Sequence, residues 1–262
     1  MPHDDNWGWR ARFGMFIVGA EAVPEAEWWA MVPPDVSVHA ARVTASSPWA
    51  AWDTARTGVE LADDVERGAR QFSTMRLDAV VVGHSSSSIV GGSGWDAAIV
   101  SRLAAILPAG VAVTTNGQDC VAALEASKLR RPLLVFPPWF GPSLLDAGTR
   151  YFADHGFDPA ARLQHDPGRK WRDLPPGELY ANGLGFEQDV EALYAQIRRA
   201  CPADADGVLI AGTGFRCVGI IEELEEDLGR PVITANQASL WRCLRLSGVG
   251  AKVSGYGQLF DV

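Results

Sequence analysis

The sequence predicts an α/β protein whose mostly parallel strands are divided between two similar lobes. Short apolar runs of strand length alternate with longer segments of helical spacing, which is typical of parallel sheets covered by helices. Two stretches also resemble each other: Asp78–Ser85 (DAVVVGHS) and Asp206–Thr213 (DGVLIAGT) each run from an acidic residue through an apolar strand into a small, polar turn. We interpret this pair as an internal duplication. Because ligands bind at the carboxyl ends of parallel strands, the two turns are candidate binding segments.

The first half of the chain is predicted to alternate strands and helices that end at glycine, proline or polar residues. Its clearest strand carries an unbroken β-branched apolar run, which indicates burial on both faces. The predicted strands are Phe13–Val18, Asp78–Val82 and Val111–Thr115, and the predicted helices are Ala55–Phe72, Trp95–Leu107 and Asp119–Ala126.

The second half repeats the alternation. An irregular surface loop with one short strand is expected over Asp158–Gly183, which is rich in proline, glycine and charge, and Gly229 is placed to end a helix. The predicted strands are Pro132–Phe136, Asp206–Ile210 and Pro231–Thr234, and the predicted helices are Ser143–His155, Phe186–Ala200, Val218–Leu228 and Ala238–Leu246.

Composition excludes several classes of protein. The 262 residues include 23 Lys and Arg against 32 Asp and Glu, a net charge of −9, which argues against a nucleic-acid partner. No apolar run approaches the roughly 20 residues of a membrane span, and the N-terminal MPHDDNWGWR lacks the apolar core of a signal peptide. We therefore expect a cytoplasmic protein with neither a membrane nor a nucleic-acid partner.

Metal chemistry has no support in the sequence. The four cysteines form no CxxC pair, and no spacing of two histidines and a carboxylate is visible. No metal site is expected, and the cysteines are interpreted as small buried hydrophobic residues.

The most unusual local feature is the serine run Ser85–Ser88, which follows a predicted strand. Its hydroxyl and backbone N–H groups could cradle an anionic oxygen, although a solvated serine-rich loop is the plainer interpretation. His84 is the best-placed general acid or base, or else a strand-end histidine bonded to a loop. The segment Gly212–Gly214 forms the matching turn of the second half. Neither GxxxxGK[ST] nor GxSxG is present, which argues against a P-loop or a nucleophile elbow.

Several segments resemble the arylmalonate decarboxylases and maleate cis-trans isomerases, within the aspartate/glutamate racemase superfamily. The tail Gly248–Asp261 (GVGAKVSGYGQLFD) is similar to the end of arylmalonate decarboxylases, and Gly229–Thr234 (GRPVIT) and Gly14–Val18 (GMFIV) also match family segments. The resemblance implies two pseudo-symmetric flavodoxin-like lobes with parallel sheets and an active site in the cleft between them. It implies residues 1–115 plus 235–262 as lobe 1 and 116–234 as lobe 2.

The resemblance also implies a chemistry that needs no cofactor. Racemases and isomerases of this group use two cysteines, one from each lobe. Arylmalonate decarboxylases keep the second one, which protonates an enediolate held in a dioxyanion hole. Here the second cysteine position falls on Gly212, and the first falls on Ser85, or on His84 if the alignment slips by one. Trp139 replaces the tyrosine of the dioxyanion hole, and Val18-Gly19 replaces a Pro-Pro.

This sequence preserves the anion-binding residues of the family pattern better than it preserves the two cysteines. Ser86 and Ser87 match the Thr-Ser pair that grips a carboxylate, and Thr213 and Gly214 match a Gly-Gly that offers backbone N–H groups. The expected site therefore has His84 and Ser85 as catalytic residues. Its expected substrate-binding residues are Ser86, Ser87, Trp139, Gly212, Thr213 and Gly214.

Three functions are compatible with these residues. The first is an enzyme that acts on a small carboxylic acid or diacid through an enolate-like intermediate, of decarboxylase, isomerase or lyase type, without the usual cysteine pair. The second is a ligand-binding or catalytically degenerate member of the same fold. The third is a hydrolase of a cyclic amide or lactone. The expected partner is a small carboxylate, and the sequence leaves a homo-oligomer open.

Overall fold

The computed structural model describes residues 5–262; residues 1–4, which begin the segment expected to carry no signal peptide, lie outside the described residues. The first half contains, in chain order, β1 (Ala11–Val18), α1 (Val23–Met31), β2 (Val36–Val43), β3 (Ala50–Trp52), β4 (Val59–Leu61), α2 (Asp63–Phe72), β5 (Ala79–Val82), α3 (Ser85–Gly91), α4 (Trp95–Ala104), β6 (Ala112–Thr115) and α5 (Asn116–Ala126).

The second half follows the same plan. It contains β7 (Pro132–Phe136), α6 (Pro142–Asp154), β8 (Ala161–Gln164), α7 (Arg169–Arg172), α8 (Pro176–Leu179), α9 (Leu184–Glu187), α10 (Val190–Ala200), β9 (Gly207–Ile210), a 3₁₀ turn (Val218–Ile220), α11 (Ile221–Leu228), β10 (Val232–Thr234), α12 (Ala235–Leu246) and a last 3₁₀ turn (Gln258–Asp261).

The strands form two parallel sheets of four strands each, with the orders β2-β1-β5-β6 and β10-β9-β7-β8. When the strands of each sheet are numbered along the chain, both sheets have the order 2-1-3-4, the arrangement of the flavodoxin-like fold. The predicted α/β class and its two similar lobes are confirmed. The boundaries given above for the lobes stay a prediction.

The central strands explain why the sheets are stable. Every residue of β5 and of β9 is buried, because helices cover both faces of each sheet. Both faces of these strands are therefore apolar, which is why unbroken apolar runs predicted them. Burying them removes apolar surface from water, which stabilises a fold by about 25 cal/mol per Å².

Two equivalent helices, α5 and α12, pack against each other. Both begin at a threonine cap: the Thr115 hydroxyl accepts from the N–H of Gln118, and the Thr234 hydroxyl accepts from the N–H of Gln237. Thr234 and Gln237 form a complete capping box. These caps start both helices one turn earlier than predicted, since the predicted starts followed the apolar pattern and overlooked the Thr-x-x-Gln signal.

The predicted helix Ala55–Phe72 is wrong in its first half. The strands β3 and β4 form an antiparallel hairpin there, and the helix begins only at Asp63. The side chain of Asp53 accepts hydrogen bonds from both the N–H and the hydroxyl of Thr57, each at 2.9 Å. Such local side-chain bonds favour a turn over a helix.

Other elements also differ from the prediction. The sequence pattern did not predict α1 or β2, and the expected loop Asp158–Gly183 holds the short helices α7 and α8 beside the strand β8. The serine run is no loop either, because Ser85–Ser88 form the first turn of α3.

Candidate active site

The candidate site lies where the sheet topology places a ligand crevice. In a sheet of order 2-1-3-4, the connections diverge at the carboxyl ends of the first and third strands. In the first lobe, these ends lead into residues 19–21 and 83–85. In the second lobe they lead into residues 137–139 and 212–214. The site can therefore be built from four short segments.

The turns of the two lobes are in direct contact. The Thr213 hydroxyl donates to the carbonyl oxygen of Gly83 at 3.1 Å, and Thr213 is 3% exposed. This hydrogen bond joins the two segments that the sequence repeat had paired. The adjacency that the sequence analysis expected for the two turns is thus present in the structure.

The second-lobe turn has a shape that requires glycine. Gly212 has a φ of +103°, and a Cβ at this position would lie 3.0 Å from Cγ of Pro137. The N–H of Phe215 donates to the Gly212 carbonyl at 3.2 Å and closes the turn. Any other residue at this position would be strained by both its backbone conformation and its neighbour.

A buried glutamate from the first lobe holds the second-lobe turn in place. The Oε1 atom of Glu27, on α1, accepts from the N–H groups of Cys217 at 2.6 Å and Val218 at 3.0 Å. Asn236, on α12, donates to Oε2 of Glu27 at 2.6 Å and to the carbonyl oxygen of Thr213 at 2.9 Å. Burial raises the pKa of Glu27 to about 7, and these hydrogen bonds oppose the rise.

A second buried glutamate, Glu21, lies against the same turn but lacks such partners. It follows β1 and is 6% exposed. Within residues 5–262, no group donates to its Oε2 atom. A Cβ on Gly214 would collide with its Oε1 atom and would lie 3.1 Å from the ring of Tyr180. Burial raises the pKa of Glu21 to about 8.

Residues 169–188, here called the cover segment, enclose this corner of the molecule. Tyr180 packs edge-on against Trp139 with ring centroids 5.1 Å apart. The Gln188 amide donates to the Arg216 carbonyl at 2.7 Å and accepts from its N–H at 3.1 Å, so the segment is fastened to the second-lobe turn. The buried apolar residues of the segment, which pack with Trp139, are Trp171, Leu179 and Leu184.

A groove of about 550 Å³ opens beside this corner, between α1, the cover segment and the second-lobe turn. Its walls are mostly apolar, and they include Ala22, the neighbour of Glu21. Arg216 is the basic residue of the lining, and it is exposed. The groove lies on the side of the second-lobe turn that carries Arg216 and Val218.

The imidazole of His84 is held within the first lobe. It stacks on the Trp49 ring with centroids 4.2 Å apart, and its Nδ1 lies 2.8 Å from the Ser87 hydroxyl oxygen. That hydroxyl also accepts from the N–H of Trp49 at 3.0 Å. Burial lowers the pKa of His84 to about 3, so its ring is neutral at pH 7.

The Ser85 hydroxyl belongs to a buried polar network between α5 and α12. It donates to Oδ1 of Asn116 at 2.6 Å, and the Asn116 amide donates to the Ser239 hydroxyl oxygen at 2.9 Å. Ser239 in turn donates to Oδ2 of Asp119 at 2.7 Å. Ser85 therefore bonds toward the helix pair that joins the lobes.

The two serines matched to a carboxylate grip, Ser86 and Ser87, do not converge. Ser87 is buried and bonded to His84, as described above. Ser86 instead lines another cavity, of about 790 Å³, together with Arg150 and His155 of the α6 region. The first turn of α3 explains this difference, because successive helical residues point in different directions.

None of the four cysteines occupies the two turns, residues 83–85 and 212–214, that meet at the lobe contact. Cys120, Cys217 and Cys243 are buried, and Cys201 is partly buried. Burial raises the pKa of the Cys217 thiol well above its ordinary value.

The described chain, residues 5–262, contains no group of three or more His, Cys, Asp or Glu residues able to hold a metal ion. Over the same residues, no helix is long and apolar enough to cross a membrane.

Sequence reasoning missed Glu21 and Tyr180. A signal for Glu21 was present, because a carboxylate stands three residues after the strand that ends at Val18. Strand ends are where α/β sheets bind ligands. Tyr180 carried no comparable signal, since its place depends on how the cover segment packs.

Comparison with known proteins connects this geometry to a family. The sequence model of the family described as arylmalonate decarboxylase matches residues 185–260. Arylmalonate decarboxylase of Bordetella bronchiseptica is 44% identical over 59 residues, which is 22% of this chain and 25% of that protein. The matched region thus spans about a quarter of the curated relative's length.

Solved structures share the whole fold. A sulfate-associated cysteine variant of arylmalonate decarboxylase matches with a TM-score of 0.76 and 23% identity, covering 96% of this chain and 100% of that one. The maleate isomerase of Pseudomonas putida, solved with maleate, matches with a TM-score of 0.79 and 20% identity over 96% and 97% of the two chains. The Nocardia farcinica maleate cis-trans isomerase, with a covalent succinylcysteine intermediate, reaches 0.76 at 18% identity over 95% and 98%. These comparisons confirm the resemblance inferred from the sequence.

Proposed function

We propose that this protein is an enzyme of the arylmalonate decarboxylase and maleate isomerase type. It acts on a small carboxylic acid or diacid through an enolate-like intermediate and uses no cofactor. The reaction is a decarboxylation, an isomerisation or a related lyase step at the contact between the two lobes. The proposal rests chiefly on one observation, the hydrogen bond from Thr213 to the Gly83 carbonyl, because it brings both strand-end turns to one point.

The surroundings of this contact suit an enolate. Backbone N–H groups of the Thr213–Gly214 turn can donate to an oxygen that gains negative charge, and removing one such donor from an oxyanion site commonly costs on the order of 100-fold in rate. Trp139 and Phe215 pack edge-on at 5.8 Å and supply an apolar wall. Such a wall leaves a departing carboxylate poorly solvated, which favours its loss as carbon dioxide.

The groove beside the site is lined by the exposed Arg216 and also by the buried Glu27. Arg216 stands at its edge, where a positive charge attracts carboxylates and raises their local concentration. We propose that the substrate enters along this groove and passes under the cover segment. The Arg216 side chain then contributes to capture and not to the chemical step.

We propose that His84 and Ser85 shape the first-lobe turn, although the sequence analysis had assigned them catalytic roles. Their polar atoms bond to Ser87 and Asn116. A neutral imidazole with a pKa near 3 is a poor proton donor at pH 7.

A second function, ligand binding without turnover, is favoured by one observation: neither Gly212 nor Ser85 supplies the thiol that the family resemblance expects. The two functions can be separated by incubating the protein with malonate, phenylmalonate, maleate and their monoacid products in heavy water. Proton NMR then follows both product formation and deuterium incorporation. Turnover that drops in Thr213→Val, but not in the control Thr149→Val on α6, supports the enzyme. Saturable binding without turnover or exchange indicates a binding protein.

A further inference from the structure

We propose that Glu21 is the acid that delivers a proton to the reacting carbon of the substrate. This inference rests on the proposed function and goes beyond it, because it assigns the proton donor that the cysteine-free turns leave open. The family resemblance assigns no carboxylic acid to this position.

The geometry around Glu21 supports this role. The side chain is 6% exposed and sits on Gly214, in the turn whose Thr213 bonds to the other lobe. Its Oε2 atom has no donor within residues 5–262, although a buried carboxylate oxygen normally receives at least one hydrogen bond. A partner is therefore missing, and a substrate that occupies the contact between the turns would supply it.

Glu21 and Glu27 differ in their hydrogen bonds, which assigns a positioning role to Glu27 and leaves Glu21 for the chemical step. Both carboxyl groups are buried and both face the second-lobe turn. Glu27 accepts three hydrogen bonds, from Cys217, Val218 and Asn236, and is thereby committed to holding the turn. The Glu21 carboxyl receives no comparable set, so its proton and its orientation remain available to a ligand.

The charged and titratable groups around Glu21 come from α1, β2 and the cover segment. Tyr180 covers it from the cover segment, and Glu27 lies nearby on α1 with a carboxyl of the same charge type. Arg42, from β2, donates to the backbone carbonyl of Glu21 at 2.9 Å, while its other nitrogen pairs with Glu25. Burial raises the pKa of Glu21 to about 8, so that the acid keeps its proton at pH 7.

The step balances without another reagent. In a malonate-type substrate, the bond between the α-carbon and one carboxylate breaks, and carbon dioxide leaves. The electron pair of that bond stays on the α-carbon and spreads over the remaining carboxylate as an enediolate. Glu21 then gives its proton to the α-carbon, a C–H bond forms, and the glutamate is left ionised. A proton from water restores the acid before the next turnover.

The test compares Glu21→Gln with the wild-type protein on whichever carboxylate of the panel is turned over. We expect kcat to fall by about 100-fold or more while KM changes little, since general acid catalysis is typically of this size. The wild-type rate should also decline as the pH rises through about 8, where the acid loses its proton, and this decline should vanish in the variant. Glu225→Gln, which alters another buried glutamate away from the turns, is the matched control and should keep both properties.

A second measurement keeps the inference testable without turnover. Calorimetric titration of the wild-type protein with malonate, in two buffers of different ionisation enthalpy, measures the protons taken up on binding. We expect uptake above pH 7.5 in the wild type and in Glu225→Gln, and its loss in Glu21→Gln. Normal kcat in Glu21→Gln, or equal proton uptake in all three proteins, would overturn the role of Glu21 and leave the proposed function standing. Absence of both turnover and malonate binding in the wild type would overturn the two together.

Discussion

Asn236 and Glu27 lie 209 positions apart in the chain, yet the amide of Asn236 donates to Oε2 of Glu27 at 2.6 Å. Glu27 comes from the first lobe, and Asn236 comes from the helix that follows the last strand of the second sheet. Since Asn236 also bonds to the carbonyl of Thr213, this pair fixes the turn at the lobe contact from two directions. The site is thus assembled by long-range contacts and not by one local motif.

Removing this pair should loosen the turn. In Asn236→Ala, one oxygen of a buried carboxylate and the Thr213 carbonyl lose their donor, which typically costs about 1–3 kcal/mol. Urea unfolding should report that loss, and activity should fall with it. Asn6→Ala is the control, because the Asn6 side chain is exposed and lies outside the cover segment and the turns. Equal stability of the two variants would show that the pair does not hold the turn.

Adding one methyl group at Gly214 should block the site. The new Cβ collides with Glu21 and with the Tyr180 ring, so Gly214→Ala should lose most activity and most malonate binding. The same change at Gly250, which does not line the groove, meets no atom within 4 Å and should leave both unchanged. Activity is compared after circular dichroism has shown that both variants fold. A fully active Gly214→Ala protein would place the reaction elsewhere.

Thiol reagents should have little effect on turnover. Burial raises the pKa of the Cys217 thiol well above its ordinary value, and the sulfur is screened from solvent. Treatment with iodoacetamide, followed by mass spectrometry and an activity assay, should modify mainly the partly exposed Cys201 and leave activity intact. If modification of Cys217 alone abolishes activity, a thiol mechanism at a shifted position is restored.

The buried acid should also mark the pH dependence of stability. The pKa of Glu21 is about 8 in the folded protein, against an ordinary value of 4.5. The folded state therefore holds more protons than the unfolded state between these values, and this contribution to stability is lost as the pH rises through about 8. Glu21→Gln has no such group, so the wild type should lose on the order of 3–5 kcal/mol relative to it between pH 5 and pH 9.

Urea unfolding of both proteins at the two pH values measures this difference. The contribution of His84 to stability changes with pH in the opposite direction, because its folded pKa is about 3, below its ordinary 6.5. Its contribution is present above pH 6.5 and is lost as the pH falls toward 3. The contribution of His84 is constant between pH 7 and 9, so changes in stability over this range are assigned to the acidic groups. Parallel stability curves for the wild type and Glu21→Gln across pH 7–9 would show that Glu21 is ionised in the folded protein.

The sequence predicted the framework well because the framework depends on local patterns. The strand at Asp78–Val82 and the helix end at Gly229, which has a φ of +63°, followed from apolar runs and from glycine chemistry. The strand β2 was missed since its sequence, VSVHAARV, carries polar and charged residues, and the sheet buries it only through its pairing with β1.

The site was also predicted only where it depends on local sequence patterns. The contact between the His84–Ser85 and Gly212–Gly214 regions followed from the repeat and from the topology rule for strand ends. The directions of Ser86 and Ser87 did not, because the run begins a helix and turns these two side chains apart. The position of Glu21 shortly after β1 was a usable signal, whereas its burial depends on the packing of the second lobe against the first.

If the joined turns bind a carboxylate, a crystal structure of the protein with malonate will show the ligand between them. We predict one carboxylate against the N–H groups of Thr213 and Gly214, with the central carbon of malonate within about 4 Å of the Glu21 carboxyl, the reach needed for proton transfer. Malonate bound instead in the cavity lined by Ser86 and Arg150, with the turns empty, would contradict the account.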